Sequence, residues 1–216
     1  MKQFLISKIT RERLDKFIES QASGVYTLDI GCADSPYSSH FSNRVGFDIL
    51  PGKGVDVVGD AHSLPFEDNT FDQIVCTEVL EHMHTPQQGI SEMRRVLKDG
   101  GKIILTTRFI FPLHDTPGDY FRFTKYGLKH LFKEWKDVEI HEEVGTTETL
   151  GVLFQRLAFQ TDMRGGNITK AVFLVLARLV PMLRVCIKKE YGMRSKVGVR
   201  EESPIMTSGY YVIAQK

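Results

Sequence analysis

Two hydrophobic periods alternate along this chain. Between Thr10 and Ser20, Leu14, Phe17 and Ile18 fall at helical spacing among charges, and Gly24 stops that helix. Short apolar runs rich in β-branched residues then read as strands at Val25 to Ile30, Arg44 to Ile49, Val55 to Val58 and Phe71 to Thr77. Ser35-Pro36 reads as an N-cap with proline at the first position of a short helix. Thr85-Pro86 opens a helix through Leu97, closed by Asp99-Gly100-Gly101. Lys102 to Thr107 is a fifth strand, Thr124 caps a helix to about Trp135, Val138 to His141 is a sixth strand, and Gly209 to Ala214 is the last.

Strands alternating with helices predict βαβ units and a mostly parallel sheet, with every strand pointing its C-terminal end at one edge. Ligands of such sheets bind outside that edge, where strand order reverses. Gly31, Asp48, Asp60 and Glu78 all fall at or just after strand ends. A glycine there lets backbone approach a ligand, and a carboxylate at the end of the neighbouring strand accepts hydrogen bonds from ribose hydroxyls. Singly, Asp48 and Asp60 read as turn residues; together they mark a nucleoside site.

Length favours one domain over residues 1–216, with residues 145–206 an insertion before the last strand. Its stretch Lys170 to Lys189 is apolar and helical in flavour, but Arg178, Pro181 and Arg184 make it a poor membrane span. Residues 151–200 carry ten Lys/Arg against two Asp/Glu, a net +8, so the overall +1 hides a basic insertion on an acidic body. That balance gives no global reason to expect a nucleic-acid partner. Residues 171–187 could lie against an anionic membrane or a lipid-linked acceptor; a buried helix or a homodimer surface is the blander reading. Cys32, Cys76 and Cys186 form no pair or zinc spacing, which suits a reducing compartment, and the N-terminal stretch lacks a long apolar run. The chain reads as cytoplasmic.

The succession LDIGCADS, VGFDI, VVGDAHSLPFEDNTFDQIVCTEVLEHM and LKDGGKIILTT resembles the class I S-adenosylmethionine-dependent methyltransferases, and more narrowly the type 11 family. The resemblance covers about Tyr26 to Thr107, plus a closing GYYVIAQK strand similar to the family's antiparallel seventh. It implies an α/β fold with a Rossmann-like seven-stranded sheet, helices on both faces and S-adenosylmethionine as cofactor. It places Asp29, Gly31 and Ala33 around the methionine tail, Asp48 and the following Ile49 at the ribose, Asp60 and Ala61 at adenine, and Thr77 and Glu78 beside the reactive end. The chain departs from the family's three-glycine loop: Ala33 and Ser35 stand at its second and third glycines. A left-handed backbone at either would cost roughly 1 kcal/mol.

The stretch FPLHDTPGDYFRFT, Phe111 to Thr124, follows the fifth strand and packs His114, Asp115, Asp119, Tyr120 and Arg122 close to two prolines, Pro112 and Pro117. It resembles a type 11 subgroup frequent in bacterial surface-polysaccharide gene sets, which implies a small-molecule or glycan acceptor. His114 is the general-base candidate. Asp119 either orients it or is itself the base. Tyr120 and Arg122 are substrate-binding candidates, with Arg122 alternatively bracing Asp119. His82 and His84 have no third ligand at useful spacing along the chain, so no metal is expected. Two competing readings remain: a nicotinamide oxidoreductase, whose G-x-G-x-x-G fingerprint is absent, and a non-catalytic module that kept the fold.

Overall fold

The computed structural model describes residues 6–33, 37–190 and 204–216. The strands are β1 (Thr27–Ile30), β2 (Arg44–Asp48), β3 (Val57–Val58), β4 (Phe71–Thr77), β5 (Leu97–Arg108), β6 (Lys136–Glu142) and β7 (Gly209–Gln215). The helices are α1 (Ile9–Ser20), α2 (Pro86–Val96), α3 (Lys125–Leu131), α4 (Thr146–Gln160) and α5 (Gly166–Leu179). One seven-stranded sheet runs β3-β2-β1-β4-β5-β7-β6, with β7 antiparallel to β5. Strand order reverses between β1 and β4, where β1 pairs in parallel with both β2 and β4.

The chain divides into two compact units. The larger comprises Asp15–Phe109, Leu113–His141 and Gly209–Lys216. Its strands β1 and β4 are buried almost throughout, as parallel strands covered on both faces are, and the polar Asp29 and Gln73 are buried with them. Leu28, Ile30, Ile74, Ile103, Leu105 and Val212 from the sheet pack with Ile90, Met93 and Leu128 from α2 and α3 in one core. Cys32 and Cys76 are buried thiols in this unit.

The other unit takes the described residues up to Leu14, Ile110–Pro112 and the described part of Glu142–Ser208. The 145–206 insertion therefore groups with the N-terminal residues. Helices α4 and α5 pack together, with Phe154 and Phe173 rings 5.7 Å apart. Buried Gln155 of α4 accepts from the Ile9 amide at 3.0 Å and donates to Ser7 O at 2.8 Å. Arg178 Nη2 reaches Ser7 O at 2.6 Å. A 3-10 turn, Val180–Cys186, follows α5 and has Pro181 near its start, where a proline cannot continue an α-helix.

Several boundaries differ from the sequence expectation, each for a local reason. Helix α2 stops at Val96 because Leu97 already pairs with Phe71, so β5 starts five residues before Lys102. Gly100, at φ +77, turns the chain within that strand. Thr124 caps α3 as expected, its Oγ1 accepting from Gly127 N at 3.1 Å. The helix ends at Leu131 rather than Trp135, and Phe132 and Trp135 fold back as a buried ring pair 5.4 Å apart. The Ser35-Pro36 helix start lies outside the described residues.

Gly46 in β2 has no room for a side chain. A Cβ there would overlap Gly54 O and come within 2.6 Å of Arg44 Nη1 and 2.9 Å of Cys32 Sγ. Gly46→Ala is expected to destabilise the fold by about 1–3 kcal/mol, read as a lowered Tm; an unchanged Tm would mean that the β2–β3 turn yields freely.

Candidate active site

The strand pairings set the site's level. Ile30 pairs with Phe47 on one side and Cys76 on the other, so the next residues, Gly31, Asp48 and Thr77, emerge side by side. Asp48 pairs with Val58, which brings Gly59 and Asp60 to the same edge. These residues line a cavity of about 410 Å³ together with Ile30, Ala33, Phe47, Ile49, Ala61, His62, Glu78, Val79, His82, Met83 and Asp115. That volume suits a ligand of cofactor size.

Gly31 turns away from β1 at φ +74, and a Cβ there would overlap the Val79 side chain. The loop needs glycine at that position alone among the described ones: Ala33 does not have a positive φ, so its methyl brings no left-handed strain. Ser35 lies outside the described residues. Asp48 fixes the loop, its Oδ2 accepting from Ala33 N and its Oδ1 from Leu50 N, both at 3.1 Å. Each carboxylate oxygen retains capacity for a further donor. Asp60 Oδ1 accepts from His62 N at 2.9 Å and meets His62 Nδ1 at 2.6 Å, and these contacts hold its pKa below the usual carboxylate value. The His62 ring stacks on His84 at 4.0 Å.

Asp29 is the one cofactor candidate that does not line the cavity. It is buried beneath the loop, 3.1 Å from Arg44 Nη1. Burial raises its pKa to about 6 against the pull of Arg44.

Beyond β4 the chain is strained and charged. Glu78 has φ +59, unusual for a side chain of its size, and its amide and carboxylate both meet Thr106 Oγ1, at 3.2 and 2.9 Å. Its other carboxylate oxygen pairs with Arg108 Nε. Glu81, in the 3-10 turn Leu80–His82, is wholly buried and accepts from Thr107 Oγ1 at 2.8 Å. Burial, reinforced by the Glu78 charge, raises its pKa to about 8.

The Phe111 to Thr124 stretch folds over this turn through Tyr120 N and Phe121 N, which donate to Glu81 O at 3.0 and 3.1 Å. Arg122 grips Asp119 with two nitrogens, at 2.5 and 2.6 Å. Asp119 also accepts from the His114 amide at 3.0 Å, and its side chain is 1% exposed. Arg122 above all pulls its pKa down to about 2. A carboxylate so held has no basicity at neutral pH. Of the roles open to it, bracing and orienting are those its geometry supports, and Arg122 is its partner in that brace. Tyr120 is exposed, with its ring 6.5 Å from that of His84. His114 sits behind the cavity wall, its ring 4.8 Å from that of His82, and burial keeps it neutral by lowering its pKa.

Among the lining residues that sequence reading missed are His62, Val79, His82 and Met83. The first stands two residues after Asp60, and the other three belong to the turn after β4, so proximity to the named acids was the available signal.

A family model described as "Methyltransferase domain" matches residues 17–105. The demethylmenaquinone methyltransferase of Renibacterium salmoninarum is 41% identical over 96 residues, covering 38% of this chain and 40% of that protein. The chain spans half or less of the length of the curated relatives it matches. A SAM-dependent methyltransferase from Archaeoglobus fulgidus superposes with TM-score 0.60 at 16% identity, covering 96% of this chain and 93% of that one. The cyclase SpnF gives 0.58 at 17% identity, covering 95% and 81%. The fold is thus the Rossmann-like fold of class I methyltransferases, and residues 17–105 carry the methyltransferase-domain pattern.

The Asp119–Arg122 pair contributes stability that is complete above about pH 4 and lost as pH falls towards 2, because the folded pKa lies below the unfolded one. Arg122→Ala is expected to return the Asp119 pKa towards 4 and to cost on the order of 2 kcal/mol at neutral pH. Carboxyl NMR titration and chemical denaturation check the two numbers; an Asp119 still titrating near 2 would assign its low pKa to the His114 amide instead.

Proposed function

We propose that this chain transfers a methyl group from S-adenosylmethionine to an oxygen of a small-molecule or glycan acceptor. The observation that carries the reading is the level set of Gly31, Asp48, Asp60 and Thr77 around one cavity at the β1/β4 reversal. The donor set fits the cofactor. Asp48 suits the two ribose hydroxyls, Asp60 with the Ala61 backbone suits the adenine edge, and Ile49, 66% exposed at the rim, offers an apolar face to the base. Gly31 allows backbone approach at the methionine end, and Asp29 lies below as the counter-charge for an ammonium, directly or through water. When bound, the cofactor supplies a methyl on a sulfonium that leaves as a thioether.

The chain's own contribution is to position the acceptor and take charge of its proton. Glu78, His82 and Asp115 close the cavity on the side of the β4 turn, with Glu81 and His114 immediately behind. Positioning in such a cleft supplies about 7–11 kcal/mol in favourable systems. Deprotonation of a hydroxyl falls to the Glu81, His82 and His114 cluster.

Isothermal titration tests the cofactor. S-adenosylhomocysteine is expected to bind, with Asp48→Asn weakening it roughly ten- to hundred-fold. Affinity for S-adenosylmethionine should rise as pH passes upward through about 6, since ionised Asp29 favours the ammonium, and Asp29→Asn should flatten that rise. Binding of NAD in place of either sulfur ligand would sink the reading.

We further read the insertion as a peripheral membrane contact. No helix among the described residues is long and apolar enough to cross a bilayer. Ile168, Val172, Val175 and Leu179 nevertheless form one exposed apolar face of α5, continued by Met182, Leu183 and Val185. Residues 163–189 carry six basic and no acidic side chains, which favours an anionic lipid surface. Flotation with phosphatidylglycerol vesicles should carry the protein upward, and Val175→Glu with Leu179→Glu should abolish it. Failure to float, with a dimer seen in sedimentation, would make this face a subunit contact.

A further inference from the structure

We propose that Glu81, His82 and His114 form a binding site for one divalent transition-metal ion on the acceptor side of the cavity. The proposal rests on the placement of that cavity as the methyl-transfer site. One ligand atom from each of the three residues lies within 4.8 Å of the other two, and His114 Nε2 is 3.9 Å from Glu81 Oε1. Metal–ligand bonds of about 2.0–2.2 Å span such a triangle after small rotations.

The hydrogen bonds around the cluster argue for a cation at its centre. His82 Nδ1 meets Gly118 O at 2.8 Å; a carbonyl only accepts, so Nδ1 carries the proton and Nε2 presents its lone pair. His114 Nδ1 faces Asp119 Oδ2 at 3.5 Å, an acceptor held in place by Arg122, which directs His114 Nε2 the other way, towards Glu81. Glu81 Oε1 is fully buried and has no hydrogen-bond partner among the described residues, while Oε2 is held by Thr107. Two acceptors, His82 Nε2 and Glu81 Oε1, therefore converge beside the His114 ring, an arrangement that a metal ion would satisfy. His82 already has the carbonyl backing that metal-binding histidines take, and the Asp119 carboxylate lies 3.5 Å from His114 Nδ1, where a small ring rotation would give it the same.

Two imidazoles and a carboxylate on one side of an ion are the set preferred by manganese, iron, cobalt or zinc over magnesium or calcium, and they leave coordination positions open. His82 lines the cavity, so those positions face the space beside Glu78 and Asp115. An acceptor oxygen bound there would be oriented and its hydroxyl acidified by the ion. The acceptor class narrows accordingly to molecules with a metal-ligating hydroxyl, such as one of a vicinal pair. The second histidine cluster, Asp60, His62 and His84, lacks this logic: His62 Nδ1 is taken by Asp60 and Nε2 accepts from Thr85 N at 3.2 Å.

The test is titration of the chelator-treated full chain with cobalt(II) chloride, followed by visible absorption, with S-adenosylhomocysteine binding measured on the same samples. One equivalent is expected, giving ligand-field bands. His82→Ala, His114→Ala and Glu81→Gln should each weaken cobalt binding by at least about tenfold, the loss of one ligand, and the last two, outside the cavity lining, should leave thioether binding intact. His141→Ala, an exposed histidine elsewhere, should change nothing. Intact thioether binding without saturable cobalt binding would overturn the metal site and leave the methyltransferase reading standing. Cobalt binding without thioether binding would do the reverse. Should the alanine variants unfold, Glu81→Gln decides: unchanged cobalt affinity in that variant overturns the proposal.

Discussion

The parallel register of β1 with its two neighbours is the constraint on which the site depends. Ile30 is opposite both Phe47 and Cys76, so three chain segments leave the sheet at the same height. A shift of one residue in either pairing would turn Asp48 or Thr77 to the other face of its strand. Register is enforced by burial, since Leu28, Ile30, Phe47, Ile74 and Cys76 have no alternative place away from water. The core thus positions the polar rim without any hydrogen bond between the rim acids themselves.

A second layer of order begins one strand further on. β5 pairs Thr106 with Thr77, and its last residues deliver hydroxyls and a guanidinium to the acids that follow β4: Thr106 and Arg108 to Glu78, Thr107 to Glu81. These contacts hold Glu78 in a left-handed conformation and hold Glu81 away from solvent. Both cost free energy, and strain of this kind persists only where surrounding structure over-determines it. Glu78 itself lines the cavity, so this order lies at the cavity wall rather than deep in the sheet.

What was legible in the sequence followed from burial. Phe71 to Thr77 is legible as a strand through Phe71 and the Ile74-Val75-Cys76 run, which is wholly buried. Gly31, Asp48 and Asp60 were legible because strand ends are, and a sheet edge collects them. Less legible were features decided through space. Asp119 and Arg122, three apart, were open to several roles until the guanidinium was seen to close on the carboxylate. His82 and His114 lie 32 residues apart in sequence, and no spacing rule brings together residues carried by a turn and by a separate loop. Glu81 reads along the chain as one more carboxylate near a helix start; only the fold shows it fully buried.

The division between these layers explains how one fold serves different reactions. The cavity floor, from Gly31 to Asp60, is fixed by register and cannot vary without loss of the sheet. The facing wall is built from the Leu80–His82 turn and the stretch after β5, which send Leu80 and Phe123 into the core and leave Tyr120 and Phe121 exposed. Only their exposed positions, such as Tyr120, can exchange side chains at small cost to folding. A cyclase shares this architecture with a methyltransferase from an archaeon, and each is equally distant from this chain in sequence. The likeness of sheets is therefore silent on the reaction. In this protein the Glu81, His82 and His114 cluster, beside the cavity yet outside the register-set floor, is the part of the site that the likeness of sheets does not account for.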